Sequence, residues 1–533
     1  MANVISTSHT KSLFPHPWYI ANCDIGPLPL SLDEWEIIEI SKAIRSKSGW
    51  QIKYKDSEIT SKWQSELCSQ SKRKEINKLF DFVLKELDWY VEMENSIPGY
   101  KIECDDKIVT SDNAVPLAIK EDFIREVKSF SSSLKEKDYH PGSNNQVLDL
   151  VHPSLYPYQY GKTPTITDNG IELVPYSDEV KNFKFGVSKY LMSDKYQWLP
   201  SLLTLKDGNF SFASYINNLH PKYQGLYKSI ESIFNLSIPG LNFILSRTIS
   251  NQVVRIEVPP GEKAYTDEFN QKVKDLWSDD SLSDEVFMQE RDRLEESKIY
   301  NLKELKFEYV KPEMAQFDLR DFEDLKVIVK LADIELTPEN PYYKGGSWHV
   351  EGTINEDIVA TILYYYDTEN IGESRLSFRT TFEDPVYEQN DKFYCNHFYG
   401  MENDCIMSRN LGSVECKEDR LLIFPNIFQH HVDPFELVDK SKPGHRKILC
   451  MFLVDPYNDL VKTTYQVPPQ QPDWQDLVDG EIKEKIRNLG TQWPIPLEEM
   501  KTVREDLMEE RSIKDLYDDL IPPFNREFSL CEH

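Results

Sequence analysis

Residues 345–371 read GGSWHVEGTINEDIVATILYYYDTENI, and the fold reading starts from them. The second half, DIVATILYYY at 357–366, is rich in β-branched and aromatic residues and is bounded by turn formers, which is the pattern of a strand. The first half holds His349 and Glu351, spaced i and i+2. In a strand such a pair points to one face, so a strand over 347–351 projects an imidazole and a carboxylate together.

Working outward, short β-rich runs recur at 325–331 (LKVIVKL), 374–380, 421–425, 427–434 and 446–454 (RKILCMFLV). Turn residues separate them and no helix intervenes, which predicts an antiparallel sandwich or barrel. The acidic, Cys-containing segment 383–418 reads as an insertion between strands. Upstream, 31–48 and 62–95 read as helices, the second with Leu79, Phe80, Val83, Leu84, Leu87 and Val91 in one apolar stripe. Residues 139–168 are loop-like, 222–235 helical, and 264–305 charged and helical. After VPPQQP at 467–472 the chain returns to charged helix over 470–520. The expected organisation is α+β: a mostly helical region with Pro/Tyr-rich loops at 1–305, a β-core at 306–467, and a helical tail at 468–533.

The chain has 533 residues, 61 basic against 90 acidic, for a net charge of −29. That balance argues against a nucleic-acid scaffold and against a protein held on anionic lipid. The first residues show no secretory pattern, and no apolar run reaches membrane-spanning length. The eight cysteines form no CxxC pair, so reduced thiols and a cytoplasmic location are expected. The set Cys395, His397, Cys405 and Cys416 lacks the short paired chelates of a zinc site. There is no HExxH and no GxSxG.

The chemistry-bearing residues form an ordered set. His349 and Glu351 are followed by the pair His430-His431, and Arg446 lies sixteen residues after His430. Two imidazoles and one carboxylate on one face, with the opposite face open, form the facial triad of non-haem Fe(II) oxygenases. Adjacent His430 and His431 point to opposite faces, so only one meets the metal. The planar guanidinium of Arg446 suits a bidentate grip on the far carboxylate of 2-oxoglutarate. His445 has the opposite strand phase and reads as structural.

Several further stretches join the first: VLDLVHPSLYPYQYGKTP at 147–164, WLPS at 198–201, SYINNLHP at 214–221, LSFR at 376–379, FPNIFQHHV at 424–432, KPGHRKIL at 442–449, FLVDP at 452–456 and VPPQQ at 467–471. Together they resemble an uncharacterised fungal family, a domain of unknown function related to 2-oxoglutarate/Fe(II)-dependent oxygenases. The resemblance covers most of the chain. It implies a double-stranded β-helix (jelly-roll, cupin-like) core with large helical additions. It also implies His349, Glu351 and His430 as metal ligands and Arg446 as co-substrate clamp. His430-His431-Val432-Asp433-Pro434 is similar to the H-x-V-x-P run around the distal His of such oxygenases, which favours His430. The carboxylate departs from commoner relatives, which carry Asp.

The expected activity is oxidation of a small metabolite, by hydroxylation or desaturation, coupled to conversion of 2-oxoglutarate to succinate, with Fe(II) and O₂. A protein side-chain hydroxylase of the same class, an oxygenase not using 2-oxoglutarate, a zinc hydrolase on the same His₂Glu set and a non-catalytic jelly-roll binding protein are the alternatives. Arg379, ending LSFR, is a candidate to hold an acidic substrate group. Tyr364 and Tyr366 share a face and read as core. Asn355 and Asn370 read as turn residues or pocket donors, and His152, Tyr156, Asn217, Asn218 and His220 as turn residues or as cover for the mouth of the barrel. A small-molecule substrate is expected, with no nucleic acid and no membrane; the sequence leaves the oligomeric state open.

Overall fold

The computed structural model describes residues 13–20, 26–71, 73, 75–176, 192–389, 391–511 and 526–530. Cys23, Cys531 and most of the expected extended N-terminal stretch lie outside the described residues. Twelve strands carry the site: β1 (Lys101–Ile102), β2 (Val109–Ser111), β3 (Val147–Val151), β4 (Ser201–Lys206), β5 (Asn209–Phe212), β6 (Asp324–Leu336), β7 (Ile358–Glu369), β8 (Arg375–Thr381), β9 (Ser408–Glu415), β10 (Arg420–Pro425), β11 (Gln429–Val432) and β12 (Gly444–Val454). The main sheet runs β1-β2-β10-β7-β12-β6-β4-β5, with β3 also on β6, and the second runs β9-β8-β11. Every pairing in both sheets is antiparallel. The fold is therefore α+β, a mixed assembly of helices and antiparallel sheet.

The main sheet is covered on both faces, which is why β7 reads as an almost unbroken apolar run. Ala360, Ile362, Tyr364 and Tyr366 pack in the core shared with the helices, whereas Leu363 and Tyr365 pack with Leu376, Phe378, Leu411 and Val414 of the second sheet. The inner face of the main sheet thus looks at the second sheet, and the candidate site lies between them.

Helices α1 (Leu32–Arg45), α2 (Ser57–Gln70), α3 (Ile76–Ser96), α4 (Leu117–Ser133) and α5 (Gln224–Ile249) supply much of the outer layer. Ser31 and Glu34 cap α1 reciprocally. The helix expected over 62–95 is two, because the chain turns extended at Ser71 (φ −93°, ψ 139°). Gly240 lets α5 lie close on β10: a Cβ there would stand 2.7 Å from Ile423 Cδ1.

Two local expectations change. The region before 306 is not only helix and loop, because β1 to β5 all enter the main sheet. β3 lies inside the expected loop 139–168 and pairs with β6 nearly two hundred residues away. The 383–418 segment is not all insertion, since β9 pairs along the whole of β8. Helices Gly480–Asn488 and Leu497–Glu510 occupy the C-terminal region; 512–525 lie outside the described residues. Among the described residues no helix is long and apolar enough to cross a membrane.

Candidate metal centre

His349 lies not in a regular strand but at an isolated bridge to His430. His349 N donates to His430 O (3.1 Å) and His430 N donates to His349 O (2.9 Å). This reciprocal pair turns both rings to the same side, with centroids 4.4 Å apart. The approach depends on Gly345: its φ is +89°, and a Cβ there would meet Val432 O at 2.6 Å. Gly346 N then donates to the same Val432 carbonyl at 3.0 Å.

Glu351 completes the set. Its Oε1 stands 3.7 Å from His349 Nε2 and 3.4 Å from His430 Nε2. One ligand atom from each residue lies within 4.8 Å of the others. His349 Nδ1 faces the Ser347 carbonyl at 2.8 Å, and a carbonyl only accepts. The Nδ1 proton is thereby fixed and the Nε2 lone pair is left for a metal. Two imidazole nitrogens and a carboxylate oxygen are a donor set that fits Fe(II). Burial opposes charge on Glu351, yet the two rings hold its carboxyl well below the usual carboxylate range. Desolvation works against charge on His349 too, although its side chain is 45% exposed, but Glu351 raises it. Burial, then the neighbouring His349, pushes His430 down.

The backbone around Glu351 is held by a residue that sequence reading passed over. Asn426 Oδ1 accepts from Glu351 N (2.9 Å), and its Nδ2 donates to Glu351 O (2.8 Å) and Ile358 O (3.1 Å). Its signal was the Pro-Asn-Ile turn that ends a buried strand four residues before His430, with no side-chain periodicity to expose the role.

His431 points the other way. Its Nε2 lies 3.3 Å from Asp433 Oδ1 and its ring packs on Trp348, centroids 4.1 Å apart. Arg379 belongs with that group: its guanidinium lies 4.8 Å over the Trp348 ring, and its Nε donates to Gln429 Oε1. The structure therefore gathers His349, Glu351 and His430, and sets Arg379 and His431 behind them. Asn355 and Asn370 clamp turns, through Ser193 and through the 439–443 carbonyls respectively. Asn217 and Asn218 tie down the 152–156 carbonyls.

Arg446 lies on the inner face of the main sheet, opposite Ile334 on β6 and Thr368 on β7. It is 2% exposed, and among the described residues no carboxylate pairs with it. Its Nη1 donates to Ser374 Oγ, whereas Nε is sealed with no acceptor. The Phe435 and Tyr365 rings lie 5.0 and 5.4 Å from its guanidinium carbon. Cys450 sits on the same strand face, two alternations along, within the electrostatic reach of Lys330, Glu351 and Arg446. Burial pushes its thiol up to about 12, which removes it as a thiolate ligand. Lys330, directly opposite Cys450, was also passed over: one of two Lys inside LKVIVKL, it reads as a solvent-facing residue.

A second set of similar composition lies at β3: His140, Asp149 and His152. Here His152 Nδ1 accepts from Ser154 N at 3.2 Å. The neutral ring then keeps its proton on Nε2 and has no lone pair to give, so this set does not fit a metal. His140 Nδ1 and Asp149 Oδ2 lie 2.9 Å apart and satisfy each other.

Residues 77–477 match the family described as a protein of unknown function, DUF4246, and residues 3–66 match its N-terminal domain. The chain belongs to the DUF4246 family. No curated protein matches this DUF4246 chain. Among solved structures, IDO from Bacillus thuringiensis is 15% identical over 25% of this chain and 49% of its own, with a TM-score of 0.16. The Fe(II)/(alpha)ketoglutarate-dependent dioxygenase TqaL is 10% identical over 66% of this chain and 94% of its own, with a TM-score of 0.24. AviO1 from Streptomyces viridochromogenes Tue57 is 11% identical over 34% of this chain and 65% of its own, with a TM-score of 0.14. The DUF4246 chain thus spans about half the length of the first of these.

Proposed function

We propose that the protein is an Fe(II)- and 2-oxoglutarate-dependent oxygenase acting on a small molecule, with a double-stranded β-helix formed by the two facing sheets as its catalytic unit. In this reading the 306–467 core holds the chemistry and the flanking regions enclose it. The observation that carries the proposal is the pairing of two features between the same sheets: the convergent His349, Glu351 and His430, and the buried Arg446, which has no carboxylate partner among the described residues. An uncompensated buried guanidinium is strongly unfavourable, so a site that keeps one is built to receive an anion.

His349, Glu351 and His430 would hold Fe(II). Bound there, the metal supplies the O₂ chemistry that couples loss of CO₂ from 2-oxoglutarate to oxidation of a substrate C–H bond. The chain's own residues do the positioning. Ser347 O fixes the His349 tautomer, and Asn426 fixes the backbone of Glu351. Arg446 receives the far carboxylate of 2-oxoglutarate, with Ser374 fixing the guanidinium plane and the Phe435 and Tyr365 rings excluding water. The six cysteines described are all free, which supports a reducing, cytoplasmic setting for this reading.

The test is anaerobic titration of the protein with Fe(II) and 2-oxoglutarate, following the weak visible band of the chelated oxo-acid. The expected result is a band that His349→Ala abolishes. Iron that binds with no response to 2-oxoglutarate, or no iron binding at all, overturns the proposal.

A further inference from the structure

The turn that follows the metal ligand Glu351 is folded around one carboxylate. Glu356 is 0% exposed, and its Oε2 accepts from Thr353 N (2.7 Å) and Thr353 Oγ1 (2.8 Å). Its Oε1 accepts from Trp198 N (2.7 Å) and from Arg511 Nη2 (2.6 Å). The first oxygen closes the turn on itself, and the second ties it to two distant parts of the chain. Asn426 holds the backbone of Glu351 itself, so Glu356 is the support on the downstream side.

Arg511 comes from outside the core, at the C-terminal end of the helix Leu497–Glu510. Its guanidinium carbon lies 4.8 Å from the centroid of the Trp198 ring. That indole donates from Nε1 to Ser154 Oγ at 3.0 Å and stacks on Phe452, with centroids 6.1 Å and planes 25° apart. Phe452 is on the inner face of β12, three alternations from Arg446. One guanidinium thus joins the C-terminal helix to the turn behind the metal ligand and, through Trp198, to the inner face. Its Nε and Nη1 are sealed with no acceptor, and among the described residues it is the one cation paired with Glu356. A buried ion pair with part of its donors unsatisfied adds little net stability; what it fixes is geometry. The geometry here is that of the loop carrying the anionic metal ligand.

We infer that Arg511 is a positioning residue for the metal centre: acting through Glu356, it holds the 352–356 turn and with it the Glu351 carboxylate. The C-terminal helix is then part of the site's support, although it contributes no ligand. The inference rests on the metal centre of the oxygenase reading and not on its co-substrate.

The experiment is Co(II) titration of the full chain, read by the visible bands of the bound ion and by its affinity. Arg511→Met keeps an unbranched side chain over Trp198 and removes the ion pair. Its Co(II) affinity should fall by about 10- to 100-fold, the range for losing an outer-shell partner. Arg511→Lys, which keeps the charge, should recover most of that loss. Glu356→Gln should lose a similar amount, and adding Arg511→Met to it should cost no more than about twofold further, because both act through one contact. Arg504→Met is the control for general loosening, since Arg504 lies on the same helix and pairs with Asp138 at 2.6 Å instead of with the 352–356 turn. It should lower the urea midpoint and leave Co(II) affinity within about twofold. Unchanged Co(II) affinity in a folded Arg511→Met chain overturns the inference. Where Arg511→Met does not fold, the near-isosteric Glu356→Gln carries the test, and unchanged affinity there overturns it equally. So do losses that simply add in the double variant, or an equal loss in Arg504→Met. Wild-type protein that binds no Co(II) overturns the inference together with the metal centre. Co(II) bound with the expected variant losses, but with bands that do not respond to 2-oxoglutarate, supports the inference and strikes the oxygenase reading alone.

Discussion

Among the described residues the molecule holds two His₂–carboxylate sets, and they differ in which ring nitrogen of one His carries the proton. In the first, His349 gives its Nδ1 proton to the Ser347 carbonyl and turns a bare Nε2 toward Glu351 and His430. In the second, His152 Nδ1 accepts a hydrogen bond from Ser154 N and the ring turns an N–H outward. The residue types and mutual distances are alike, within 4.8 Å in both. What separates a metal site from a hydrogen-bonding site is the partner of the other ring nitrogen, a backbone carbonyl or a backbone amide.

The largest effect expected is on metal stoichiometry. Wild-type protein should bind one Fe(II) or Co(II) per chain, measured by elemental analysis after dialysis. His349→Ala, Glu351→Gln and His430→Ala should each bind none, whereas His140→Ala and His152→Asn should still bind one. Two equivalents in the wild type, or loss of metal in His152→Asn, would break the comparison by making the β3 set a metal site. Next comes Arg446. Replacing it with Met removes two charge-assisted hydrogen bonds to the co-substrate, about 3 kcal/mol, so 2-oxoglutarate affinity should fall roughly 100-fold. Metal binding should be unaffected. A weak effect on affinity would leave the buried guanidinium a structural group held by Ser374 and the two rings.

How far this was readable from sequence follows the range of the interactions. The strand period of two put His349 and Glu351 on one face, separated His430 from His431, and phased Arg446 against His445, because those relations are local. The reason His349 and Glu351 converge was not local. The 347–351 segment is a single bridge rather than a strand, and its shape comes from Gly345 beside Val432 and from Asn426 across the turn. Likewise the partition of β7 into a helix-facing and a site-facing side was implicit in its apolar run, but β3 was hidden in a Pro- and Tyr-rich loop. Its pairing with β6 is what brings Asp149 and His152 to Lys330, and no pattern within either segment announces it.

A smaller effect tests whether the first set depends on its surroundings. Asn426→Ala leaves all three ligands in place but releases the Glu351 backbone. Metal affinity should fall by about 10- to 100-fold, the range for losing an outer-shell partner. The Asn426→Ala chain should also lose about 1–3 kcal/mol of stability for its unpaired buried amide groups. Metal affinity unchanged in a folded Asn426→Ala protein would mean that the His349–His430 bridge alone sets the geometry.

The least visible difference between the two sets is their response to acid. Unfolded, His152 takes up a proton near pH ~6.5. Folded, burial keeps the ring neutral to about 3, with Asp149 favouring the charged form and Lys330, His140 and Arg504 opposing it. Between those values the unfolded chain binds the extra proton, so the contribution of His152 to stability is complete above pH ~6.5 and declines as the pH falls toward 3. The slope is at most about 1.4 kcal/mol per pH unit for one group. His152→Asn is the discriminating variant, because an Asn oxygen accepts from the residue two positions on and preserves the turn without titrating. Urea unfolding at pH values from neutral to mildly acidic should show a shallower loss of stability in His152→Asn than in the wild type. Equal slopes would mean that His152 is not held neutral, and the tautomer that disqualifies the second set as a metal site would lose its support.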